Sequence, residues 1–256
     1  MPLPAVHTDF MLVVGGVALP TKAGSVAYDG GLKLEMLRTS GKLRDDSAVA
    51  SAYQPKISAT LLDPDAFTTL GDASGVMAVW GVYGAPGTLT VGAGQGFANA
   101  TVVPKSLEWS QGGIAELQVE FLAKFDVDGT LGTAPTIPGT QAFINEAYRA
   151  KSVTIGATTS ESLNKVSAKW EAEVKGNPEF KPQSHYTEKF HMAADVTLNE
   201  ALAVPLDAEI GDFSILWEKI GGAATFTSTY GRCSISKSVS GGKTSVKIVQ
   251  LNPLPA

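Results

Sequence analysis

The chain states one pattern twice, and this doubling constrains its fold more than any other feature. Ile57-Ser-Ala59-Thr-Leu61 alternates small or apolar with polar residues, and Asp65-Ala-Phe67 follows. Met192-Ala-Ala194-Asp-Val196-Thr-Leu198 also alternates, and Glu200-Ala-Leu202 follows. Val76-Met-Ala-Val-Trp80 and Phe213-Ser-Ile-Leu-Trp217 each end an apolar run at a tryptophan. Phe67 and Leu202 are 135 residues apart, and Trp80 and Trp217 are 137 apart. Glycine turns match as well: Ser110-Gln-Gly112-Gly113 precedes Leu117, and Ser240-Gly241-Gly242 precedes Val246. Leu117 and Val246 are only 129 apart, so the first copy carries extra residues between Trp80 and Gly112. The glycine-rich stretch Gly84 to Gly96 is the expected place for them, as a mobile loop. Two copies of one unit favour a tandem assembly protein over a single-site enzyme.

Each unit reads as antiparallel sheet. Leu32-Lys-Leu34-Glu-Met36, Leu117-Gln-Val119-Glu-Phe121, Val166 to Val174 and Val246-Lys-Ile248 all alternate with period two. Side chains two apart share a sheet face, so each run buries one face and wets the other. Phe10-Met-Leu-Val-Val14 enters a hairpin at Gly15-Gly16. Three short helices are expected. Asp63-Pro64-Asp65 can start one, and Asn199 can cap another before Pro205. Gln141 to Arg149 would form the third, with Phe143, Ile144, Ala147 and Tyr148 on one side. The fold expected is mainly β: two tandem antiparallel β-sandwich or half-barrel modules, each with a short flanking helix. The boundaries are 1–130 for the first module, 131–150 for a linker with a short helix, and 151–256 for the second. Three glycines and two prolines between Asp126 and Gly139 mark that linker.

Composition removes several function classes. The formal charge of −5 argues against tight binding of nucleic acid over the whole surface. It suits a surface that nucleic acid slides past. The single Cys233 permits no internal disulfide and reads as a small buried strand residue. Met1-Pro-Leu-Pro lacks the basic start of a secretory signal. No apolar stretch approaches the ~18 residues that a spanning helix needs. We therefore expect a soluble protein made in a cytoplasm, with no membrane partner.

Several motifs suggest chemistry. Phe125-Asp126-Val-Asp128-Gly129-Thr130-Leu131 resembles the first motif of haloacid-dehalogenase-type phosphatases, with Asp126 as nucleophile and Asp128 as acid/base beside magnesium. Gln118, Glu120 and Lys124 interrupt the preceding strand, which that fold would bury in a parallel sheet, so an acidic turn is expected instead. The same residues begin like a calcium loop, but its closing Glu is absent. Gly92-Ala-Gly94-Gln-Gly96 lacks the helix and the acidic residue of a dinucleotide site. His185, Glu188 and His191 are a candidate metal trio, with plain strand or loop surface favoured. Trp80, Trp109, Trp170 and Trp217 are candidate stacking platforms for carbohydrate in a two-domain β-sandwich. For the repeat-equivalent pair Trp80 and Trp217, core or inter-subunit packing is preferred. No catalytic residue, cofactor or metal is expected.

The duplicated, acidic, cysteine-poor β unit resembles the tail-tube module of long-tailed bacteriophages. That resemblance implies a virion structural protein. The expectation that follows from the resemblance is stacked trimeric, pseudo-hexameric rings of a tail tube, a conduit for genome ejection, assembled in the host cytoplasm. A baseplate hub or distal-tail ring protein built from the same module is the alternative within the class. Implied partners are further copies of the chain and tape-measure, terminator and distal-tail proteins, with DNA passing the lumen unbound. By position, Thr39 to Pro55, with Lys42, Arg44, Asp45 and Asp46, resembles the loop that reaches the next ring during stacking. Lys175 to Glu188 is its counterpart. Glu35, Glu116, Glu120, Glu171 and Glu173 are the candidate carboxylates for the lumen.

Overall fold

The alternating runs become paired antiparallel strands in the computed structural model, which describes residues 9–37, 47–83, 88–132, 140–142, 146–176, 181–201 and 207–251. The first half contains β1 (Asp9–Val14), β2 (Val17–Ala18), β3 (Ala27–Asp29), β4 (Leu32–Leu37), β5 (Ser47–Tyr53), β6 (Lys56–Leu61), β7 (Gly71–Tyr83), β8 (Thr88–Ser110) and β9 (Glu116–Lys124). β10 (Thr140–Ala142) follows. The second half contains β11 (Tyr148–Ile155), β12 (Thr158–Ser160), β13 (Leu163–Gly176), β14 (His185–Leu198) and β15 (Asp207–Ile210). It ends with β16 (Phe213–Lys219), β17 (Thr225–Thr229), β18 (Cys233–Ser240) and β19 (Lys243–Gln250).

The pairing order of the first half recurs in the second. β1 turns through Gly15-Gly16 into β2 and pairs with β7. β11 turns into β12 and pairs with β16. In both halves the tryptophan sits on the strand beside that hairpin: Phe10 faces Trp80, and Ala150 faces Trp217. β3 pairs with β6, β6 with β9, and β9 with β8. β13 pairs with β14, β14 with β19, and β19 with β18. The two groups are joined because β8 also pairs with β13, Leu107 facing Ala168 and Trp109 facing Val166. Eight strands therefore lie side by side in the order β3-β6-β9-β8-β13-β14-β19-β18.

The mainly antiparallel β fold is as expected, and the β8–β13 junction joins the two expected modules in one sheet. One buried cluster runs from Leu12, Ile57 and Phe121 through Leu107 and Val166 to Trp217 and Ile248. Apolar residues on the inner faces of both strand groups fill it, because period-two strands offer one apolar face each.

The expected helices are corrected too: no helix occurs among the described residues. At Asp63 the carboxylate accepts the Asp65 amide at 3.0 Å, and Phe67 takes φ 55°, so the chain turns instead of winding. Gln141 faces Leu89 as part of β10. Tyr148 faces Lys219 as part of β11, and its ring meets Phe226 edge-on at 5.0 Å. Cross-strand pairing thus takes both ends of the expected helix, and Phe143, Ile144 and Asn145 lie outside the described residues. Asn199 and Glu200 form a bend, and Leu202 and Ala203 lie outside the described residues. The strand that opens the second half starts at Tyr148, inside the expected linker.

Gly92 to Gly96 is also no loop. It is part of β8, with Ala93 to Gly96 paired to Trp80 to Met77 and Gly92 at a bulge, so the extra residues of the first half lengthen a hairpin. Gly84–Gly87 lie outside the described residues.

Candidate assembly edges and the polar sheet face

Alternation gives the eight-strand sheet a buried face and a polar face. On β9, Leu117, Val119, Phe121 and Ala123 are buried, leaving Glu116 and Glu120 on the polar side. On β13, Val166, Ala168 and Trp170 are buried, leaving Glu171 and Glu173 on the same side. Continuous pairing from β9 through β8 to β13 fixes this common orientation. The fold thus places Glu116, Glu120, Glu171 and Glu173 on one face. Glu35 stands apart, exposed on the separate β4–β5 ladder.

The carboxylates are not bare. Lys22 donates to Glu116 at 2.7 Å. Glu120 lies 3.2 Å from Lys56 and 2.9 Å from Lys105. Glu171 pairs with Lys189, and its carboxylate lies 3.3 Å from His191. Glu173 lies 3.1 Å from Lys175. Burial pushes the Glu120 carboxyl up, but the hydrogen bonds and charges of Lys105 and Lys56 outweigh it and hold it below its ordinary 4.5. A carboxylate lowered in the fold contributes stability that is present above its unfolded value and lost as pH falls through the folded one. Acid unfolding of the parent should therefore show a loss of stability beginning below about pH 4.5. Glu120→Gln should flatten that limb, as chemical denaturation at stepped pH would register. An unchanged limb would refute the role of this triad.

The two halves also meet through a finger. β13 and β14 extend beyond the sheet as a long hairpin with a bulge near Glu173/Val174. β4 and β5 form a corresponding hairpin with a bulge near Lys33/Leu34. The β13–β14 finger is docked on the first half. His185 lies 2.9 Å from the Gln54 amide nitrogen and 2.9 Å from the Thr101 hydroxyl. The Phe125 amide donates to the Pro182 carbonyl at 3.0 Å, and Lys181 donates to the Gly129 carbonyl at 2.6 Å. Burial, with Lys124 nearby, keeps the His185 imidazole below its ordinary value. Lys42, Arg44, Asp45 and Asp46, between β4 and β5 in sequence, lie outside the described residues.

The residues of the enzyme-like motifs lie in turns and paired strands. Asp126 and Asp128 sit in a turn leaving β9: the Gly129 amide donates to the Asp126 carbonyl, and the Thr130 amide and hydroxyl both donate to Asp128 Oδ1. Those Thr130 hydrogen bonds hold the Asp128 carboxyl below its ordinary value. β9 has an antiparallel neighbour on each side, unlike the parallel sheet behind a phosphatase aspartate. The candidate metal trio is dispersed: His185 on Gln54 and Thr101, Glu188 on Lys175 at 2.6 Å, His191 beside Glu171. Among the described residues no group of three His, Cys, Asp or Glu side chains is placed to hold a metal ion. Trp109, Trp170 and Trp217 are buried and Trp80 is half-buried, so no exposed aromatic platform exists among them. Cys233 is buried at the start of β18, and burial pushes its thiol up to about 11. No helix of the described residues is long and apolar enough to cross a membrane.

What the fold leaves open are strand edges. The ladder of β15 on β18 runs only from Cys233 to Ser236. Beyond it, Ser238, Val239 and Ser240 are exposed. At the other end of the sheet, β3 pairs with β6 alone among the described residues. These edges escaped the reading of the sequence. The signal was present, since Lys237-Ser-Val-Ser240 precedes a glycine turn just as Leu107-Glu-Trp109-Ser110 does. No family model matches this sequence, and no curated protein is significantly similar to it.

Proposed function

We propose that the chain is a ring-forming subunit of a phage tail tube, made of two copies of one module fused head to tail. One observation carries this reading. The order β3-β6-β9-β8 is followed directly by the corresponding β13-β14-β19-β18, joined edge to edge at β8–β13. A sheet that repeats head to tail, with β3 paired on one side only among the described residues and β18 uncovered beyond the β15 ladder at Ser236, is completed by adding copies until rotation closes it. Three chains would bring about 24 strands, a backbone circle of roughly 48 Å at ~4.8 Å strand spacing and ~40° tilt. The module boundaries then fall near Asp9–Gly132 and Tyr148–Leu251.

In this role the polar sheet face lines the conduit. Its carboxylates stand among lysines, so it offers DNA phosphates no continuous basic track, and the net charge of −5 disfavours retention. The segment joining β4 to β5, which contains Lys42, Arg44, Asp45 and Asp46 in sequence, is the candidate contact with the next ring. Tape-measure, terminator and distal-tail proteins would meet the tube at its ends, in a virion tail assembled in the host cytoplasm. Negative-stain microscopy of the concentrated protein should reveal rings with a central hole, and rods where rings stack. Monomers that persist at every concentration would overturn the proposal.

A further inference from the structure

The internal β8–β13 junction is a working example of how one half of this chain recognises the other. β13 covers the β8 edge from Ser106 to Ser110, and Leu107, Trp109, Val166 and Ala168 are buried there. The strand that corresponds to β8 in the second half is β18, because each pairs with the last strand of its half. The strand that corresponds to β13 in the first half is β3, because each pairs with the next inner strand. The second half thus ends in an edge like the one β13 occupies. The first half begins with an edge like the one β13 presents.

We propose that the edge of β18 at Ser238–Ser240 pairs antiparallel with the outer edge of β3 in a second copy of this chain, repeating the β8–β13 junction between molecules. This inference rests on the ring reading and names its interface. The backbone at the β18 edge is suitably aimed. Ser240 faces Lys243 across Gly241 and Gly242, which have φ of 58° and 76°, the signature of a type I′ turn. In such a hairpin the closing pair is hydrogen-bonded and the bonding alternates, so Ser240 and Ser238 bond to β19. Val239 then directs its N–H and C=O at the open edge. Its side chain is 52% exposed, although it lies on an edge whose counterpart buries Leu107 and Trp109. On the other partner, β4 carries Leu32 and Leu34 into solvent at 55% and 53% exposure, just beyond β3. Backbone groups aimed away from their own sheet and exposed apolar side chains together mark a surface that another strand covers.

Ser238, Ser240, Ala27 and Asp29 all lie on the polar face, so disulfide cross-linking can test the pairing and its register. Three double variants of the full chain cover neighbouring registers: Ser238→Cys with Ala27→Cys, Ser240→Cys with Ala27→Cys, and Ser238→Cys with Asp29→Cys. Cys233 stays in place because it is buried. On oxidation one of them should yield a covalent species of three chains, whereas single-cysteine variants should stop at dimers. Val239→Pro removes the outward amide without touching a β19 bond. It should abolish rings while leaving the melting temperature of the monomer unchanged. Rings that form with no cross-link in any pair, and that survive Val239→Pro, would overturn this interface but leave the ring reading standing. A parent protein that never assembles would remove both.

Discussion

Trp217→Ala is expected to destabilise the protein by about 3–5 kcal/mol, the range for emptying a buried aromatic site. Trp80→Ala, at the corresponding place, should cost clearly less. Trp217 is fully buried on β16 beside Phe213 and Ile215, and its indole N–H donates to the Ser228 hydroxyl at 3.1 Å. Removing it leaves a cavity and orphans part of a buried hydrogen bond, and both effects have the same sign. Phe213 stacks on Tyr230 at 5.4 Å, and Tyr230 contacts Trp170 at 6.4 Å, so the loss reaches the β13 side of the core. Trp80 is half-buried at the end of the β1–β7 ladder, where solvent can fill the space it vacates. At ~2–4 °C per kcal/mol for a chain of this size, the Trp217 variant should melt about 10 °C lower. Urea midpoints for the two variants would measure the contrast. Equal losses would contradict the difference in burial.

The second large effect concerns the glycines of the β7–β8 hairpin. A Cβ on Gly81 would lie 1.9 Å from the Thr90 carbonyl oxygen, and one on Gly96 would lie 2.3 Å from the Val76 carbonyl oxygen. Both obstacles are backbone, so the strands must part to admit a methyl group. Gly81→Ala and Gly96→Ala should each cost at least ~1–3 kcal/mol, the range for overpacking. Gly94 is the internal control. Its Cβ would first meet the flexible Met77 side-chain end at 3.1 Å, so Gly94→Ala should stay within about 0.5 kcal/mol of the parent. If all three substitutions proved equally mild, the close strand approach would be wrong.

Those glycines show why part of the fold was hidden in the sequence. Strands with a clean period of two, such as Leu117 to Phe121 and Val166 to Trp170, were legible because burial on one face writes itself into the residue order. The correspondence of Trp80 and Trp217 was legible for the same reason, and both stand beside the hairpin that opens their half. Gly92 to Gly96 read as a loop because glycine serves turns and close strand approach alike. The helices expected at Asp63 and Gln141 rested on capping residues and short stripes. Asp63 instead caps a turn, and Tyr148 finds a better partner in Phe226 across the sheet. Alternation made Glu116, Glu120, Glu171 and Glu173 legible as sharing a polar face, but not that Glu35 stands on the separate β4–β5 ladder. The lysine partners were not legible either, because Glu120 reaches Lys56 across 64 residues of chain. The β8–β13 junction is of the same kind: Leu107 and Ala168 meet only because two distant hairpins share an edge.

The central claim is that one chain supplies two equivalent positions around a ring. Native mass spectrometry of the assembled rings, matched to end-on class averages, tests it most directly. Three chains per ring, with six lobes around the hole, is the result expected. Rings in which the number of lobes equals the number of chains, or a protein that remains monomeric, would contradict it.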